Sequence, residues 1–185
     1  MENKKNTKLI ALIVLGLLTA FGLAVEIIMF IRGFSNNSAI TNFNMIAYAV
    51  TSALLLYYAI SGYKKPHGDI MKYLFLLFAI CCLSAILTIR KENSTNDIIY
   101  NYIRGVVVLL TAFVAGRLDR FKQNVILMSI IGVLMLASSF IGISHWTNVF
   151  SALYHFTFFL LWVDLMFAYI LRYKEHKEAG LMDKN

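Results

Sequence analysis

Four ionisable side chains stand inside long apolar runs of this chain: Glu26, Arg104, His155 and Asp164. A charged group near the centre of a membrane helix costs roughly 2.5–3.5 kcal/mol on insertion scales, so it is expected to face protein and is a functional candidate by default. The chemistry open to these four is ion pairing, proton or cation binding, and hydrogen bonding to a polar solute. Glu26 lies five residues before the end of an apolar run at 9–31, and Arg104 five residues into another at 99–116. If those two ends share one side of a membrane, the groups reach similar depth. A Glu26–Arg104 pair is then expected to offset the cost of placing either there. The alternative is that Arg104 snorkels to the headgroups.

His155 and Asp164 sit nine residues apart in the last long run, which packs four aromatics into the segment Phe156–Trp162. Nine steps of about 100° leave a half-turn remainder, so the two point to opposite sides of a helix. That helix should be covered on two sides, either centrally in a bundle or at an oligomer interface. Alternatively, a protonated Asp164 is hydrogen-bonded to a neighbouring helix. His155 falls at the level expected for Glu26 and Arg104, and Asp164 lies further in. His67, His145 and His176 fall at predicted ends or loops, so no bis-histidine haem site is expected. No spacing of Cys, His, Asp or Glu resembles a metal site, and no cofactor is expected.

The elements that position these groups are six apolar stretches, at roughly 9–31, 43–62, 71–89, 99–116, 125–143 and 148–171. Each approaches the ~20 residues that cross ~30 Å of hydrocarbon as a helix. The runs are continuous rather than alternating, which argues against a barrel. Of the 185 residues, 59% are hydrophobic and 15% charged, where soluble domains run nearer half and a quarter. The expected fold is a single all-α, polytopic membrane bundle of three hairpins filling the whole chain. The first run is too long for a signal-peptide core and is expected to be retained. Adjacent Cys81 and Cys82 point about 100° apart and are expected to pack as small apolar residues.

Orientation follows from the basic residues. Thirteen Lys and Arg fall near the termini and the second and fourth connections, against four (Arg32, Arg90, Lys91 and Arg104) on the other side. By the positive-inside rule both termini are expected to be cytoplasmic, in a multi-pass protein of the cell membrane. The net charge of +7 then reads as topology and affinity for anionic headgroups, with no nucleic acid as partner. The first two outer turns, at 31–38 and 89–94, look alike, and each leads into Asn-aromatic, Asn42-Phe43 and Asn101-Tyr102. Such Asn residues suit caps of returning helices.

Small and polar residues recur on helical faces. In the first run Gly16, Ala20 and Ala24 form one stripe and Thr19, Gly22 and Glu26 another. The second run aligns Asn44, Tyr48, Thr51 and Tyr58, and Thr157 shares a face with Asp164. No HExxH, GxSxG, P-loop or dinucleotide fingerprint is present, and no catalytic residue is assigned. The leading expectation is a small membrane protein that binds or moves a solute or ion through a polar intramembrane site. The alternative is a non-transporting accessory, immunity or regulatory subunit with a membrane-protein partner or a second copy of itself. An intramembrane enzyme ranks third.

Overall fold

A computed structural model describes residues 2–33, 39–61, 70–88, 95–144 and 149–178. They form α1 (Glu2–Gly33), α2 (Ala39–Ser61), α3 (Ile70–Thr88), α4 (Thr95–Ala115), α5 (Phe121–Ser144) and α6 (Val149–Glu178), with no strand among them. Each of the six holds a stretch long and apolar enough to cross a membrane, as a multi-pass protein requires. Helix is the open-chain solution in hydrocarbon, because it satisfies every backbone N–H and C=O within the segment. The shortest helix, α3, has 19 residues and rises roughly 29 Å, about one hydrocarbon thickness. α1 and α6, at 32 and 30 residues, outrun that thickness. Their overhanging ends meet in an ion pair, Lys8 Nζ to Glu175 Oε1 at 2.8 Å, so the start of α1 and the end of α6 share one end of the bundle.

The helices follow one another around a ring, each against the next, and α6 closes it on α1. α6 also reaches across to α2 and α3. The outer shell is apolar, with Ile10, Leu17, Leu109, Val133 and Phe140 all more than half exposed. Most polar residues of the spans, among them Thr19, Asn44, Thr51 and Thr111, lie inside, the inverse of a soluble bundle. At the centre Phe78 meets Trp162 at 5.2 Å and Phe158 at 6.0 Å, and Phe75 meets Trp162 edge-on at 6.3 Å. Gly132 of α5 makes room for the indole: a Cβ there would lie 3.2 Å from Trp162 Nε1. Cys81 and Cys82 are free thiols, both fully buried.

Two details differ from the sequence reading. α2 and α4 begin at Ala39 and Thr95, so Asn42 and Asn101 lie inside the helices rather than at their caps. Of the small-residue stripe in α1, only Gly16 packs against a helix, with its Cβ position 3.7 Å from Ala59 Cβ of α2. Ala20 and Ala24 face outward. Of the two look-alike outer turns, 31–33 form the end of α1, and 34–38 and 89–94 lie outside the described residues, as does Asn148.

Candidate functional site

The stripe Thr19, Gly22, Glu26 on α1 faces α6, and Thr157 and Asp164 on α6 face back. Thr157 Oγ1 donates to Glu26 Oε1 at 2.9 Å. Thr19 Oγ1 donates to Asp164 Oδ2 at 3.2 Å. Each helix therefore offers one threonine and one acid, seven residues apart, and the antiparallel packing matches the acid of one with the threonine of the other. Seven residues make two turns, so the two bonds lie about 10 Å apart along the seam. All four side chains are at most 2% exposed. Each acid keeps one oxygen, Glu26 Oε2 and Asp164 Oδ1, buried with no hydrogen-bond partner among the described residues.

Between the two bonds, Tyr48 of α2 enters the seam. Its hydroxyl donates to the Thr157 carbonyl at 2.7 Å. A Cβ on Gly22 would lie 3.0 Å from that hydroxyl oxygen, so the glycine leaves the notch that the tyrosine fills. The ring leans on Phe158 at 5.8 Å. One turn earlier on α2, Asn44 Nδ2 donates to the Cys81 carbonyl at 2.7 Å and to Ser84 Oγ at 2.6 Å, tying α2 to α3.

Arg104 and His155 form a separate group. The Arg104 guanidinium carbon lies 4.6 Å from the Phe158 ring centre and 5.1 Å from that of Tyr100. Its Nη1 meets Met135 Sδ at 3.4 Å and Cys82 Sγ at 3.9 Å. His155 meets the Tyr100 ring edge-on at 5.7 Å. Aromatic faces and polarisable sulfur are soft partners for a planar cation.

The expected Glu26–Arg104 pair is not formed. The depth is right, because Glu26 bonds Thr157 and Arg104 covers the next residue, Phe158. Consecutive residues point about 100° apart, so α6 itself stands between the acid and the cation. α6 is covered on two sides as expected, by the α1–α2 side at Asp164 and by Tyr100 of α4 at His155. Asp164 is hydrogen-bonded to a neighbouring helix, accepting from Thr19 of α1. A third side stays open, with Phe156 and Val163 exposed.

Thr19, Tyr48 and Thr157 were legible only as members of polar stripes. The signal for the first and last is the shared spacing, Thr19 to Glu26 and Thr157 to Asp164, which becomes reciprocal once the helices run antiparallel. No group of three or more His, Cys, Asp or Glu that would hold a metal occurs among the described residues. Two surface grooves of about 300 and 310 Å³ are lined by apolar residues such as Phe43 and Leu83, and by Ile98, Asn101 and Tyr102, away from the seam. No protein-family model, curated protein or solved structure matches the chain.

Proposed function

We propose that this is a cell-membrane protein, with both termini cytoplasmic, that binds and passes a proton or small monovalent cation along the α1–α6 seam. One observation carries the reading: two buried carboxylates, Glu26 and Asp164, each hold one oxygen in a threonine bond and leave the other without a hydrogen-bond donor among the described residues. A buried oxygen of that kind suits a proton or a cation, which removes the cost of an isolated carboxylate. Close packing at Gly22 favours a ligand of ionic size over a larger organic solute. The Arg104–His155 group lies on another face of α6, with Arg104 against Tyr100 and Phe158, and closes no ion pair on Glu26.

A second reading has its own support. The polar groups divide into separate clusters instead of lining one cavity, as they would in an accessory, immunity or regulatory subunit that uses them to join helices. Purified protein in liposomes distinguishes the two, with separate gradients of protons, Na⁺ and K⁺. The transport reading expects flux of one of these that Glu26→Gln or Asp164→Asn abolishes. Absence of flux in all three gradients, together with copurification of a stoichiometric membrane partner, would favour the accessory reading.

A further inference from the structure

The two carboxylates are on one seam but are not in contact, and the residue between them comes from a third helix. Thr19 and Glu26 mark two levels on α1, and Gly22 lies between them, three residues from one and four from the other. At that level the seam has no side chain from α1. Tyr48 of α2 occupies the space, its hydroxyl oxygen 3.0 Å from where a Gly22 Cβ would stand and held at 2.7 Å to the Thr157 carbonyl. Leu160 of α6 closes the other flank, its Cδ2 4.0 Å from the same point. Tyr48 is 1% exposed, and Phe158 supports its ring.

We propose that Tyr48 is the gate between two cation half-sites, one at Glu26 and one at Asp164. This rests on the function proposed above. A tyrosine suits the position for two reasons. The apolar ring denies an ion the polar contacts it needs to pass, and the hydroxyl is pinned to a main-chain carbonyl of α6, whose own side chain holds Glu26. The gate is thereby linked to the occupancy of the Glu26 half-site through Thr157. Passage between the carboxylates requires the hydroxyl to leave the Thr157 carbonyl and the ring to leave the Gly22 notch. Glycine at position 22 provides the space that the closed position uses.

The test is flux in liposomes with three kinds of variant: Tyr48→Ala, which removes the ring; Tyr48→Phe, which removes only the hydroxyl; and each combined with Glu26→Gln or Asp164→Asn. Tyr48→Ala is expected to raise cation flux roughly tenfold, about 1.4 kcal/mol of barrier. Tyr48→Phe keeps the packing and is expected to give a smaller rise. Both increases are expected to vanish when either carboxylate is neutralised, which separates an opened path from a non-specific leak. Flux at or below wild type in both tyrosine variants would overturn the gate, and so would an increase that survives neutralising both acids. If wild type conducts through the two acids and the tyrosine variants do not exceed it, the gate fails and the proposed function stands. If wild type shows no flux but Tyr48→Ala gives an acid-dependent one, the gate stands and the resting protein is not a conductor.

Discussion

Thr157 joins three helices with one residue. Its hydroxyl holds Glu26 of α1 and its carbonyl holds Tyr48 of α2, while its backbone belongs to α6. Replacing it with valine keeps the shape and removes the only hydrogen bond that Glu26 accepts among the described residues. Hydrogen bonds inside membrane proteins are worth less than the low-dielectric argument suggests, so the expected loss is about 1–2 kcal/mol. Thermal unfolding in detergent checks this: Thr157→Val should melt earlier, and Thr157→Ser, which keeps the hydroxyl, should recover most of the difference. Equal melting of Val, Ser and wild type would mean that the bond contributes nothing. At this scale the sequence exposes which residues cannot face lipid. Charge inside an apolar run identifies Glu26, Arg104, His155 and Asp164, and all four are buried or nearly so. Which residue meets which is less accessible. Counting from helix ends gives depth, and Glu26 and Arg104 do reach the same level. Azimuth depends on the order of helices around the ring, which no count along the chain supplies, so the partner of Glu26 is a threonine on α6.

Each helix carries its assignment in its pattern. The polar stripe of α2, Asn44, Tyr48, Thr51 and Tyr58, is buried along its whole length, as a face with spacings of three, four and seven should be. The small-residue stripe of α1 misleads, because small size permits close approach but does not supply a neighbour; Gly16 finds α2 and Ala20 and Ala24 find none. Glycines divide in the same way. Gly132 and Gly22 are met by Trp162 and Tyr48, whereas a Cβ on Gly105 of α4 meets nothing within 4 Å. Gly105→Ala is therefore expected to stabilise the protein by about 0.5–1 kcal/mol, the helix-interior cost of glycine, with a higher melting temperature as the readout. A lower melting temperature would show that another chain or a lipid needs the bare backbone there. Helix ends are the least legible element. Polar residues such as Asn42 and Asn101 look like caps, yet the helices run past them toward the outer connections, where the backbone still gains by pairing internally.

Across the whole molecule, charge is sorted between the two ends. Among the described residues, Lys72 opens α3, Arg117, Arg120 and Lys122 surround the α4–α5 turn, and Lys174 and Lys177 lie near the end of α6, the end that also holds the Lys8–Glu175 pair. The opposite end carries Arg32. Fold class and span number follow from composition and run length, because a bilayer accepts few solutions for an open chain. The positive-inside rule then predicts that a fluorescent reporter fused after Asn185 will fold and fluoresce in the cytoplasm, and that a periplasmic or extracellular reporter at the same place will stay silent. The reverse pattern would invert the topology. In the proposed function, Glu26 and Asp164 act on a cation rather than merely joining α1 to α6. Glutamine and asparagine keep an oxygen that accepts the Thr157 and Thr19 hydroxyls but remove the charge, so they separate the two roles. The decisive measurement is proton and cation flux in liposomes for the Glu26→Gln/Asp164→Asn double variant, taken beside its melting temperature. The expected result is flux lost with melting close to wild type; flux retained in that variant would rule out a role for the two carboxylates in passing a cation.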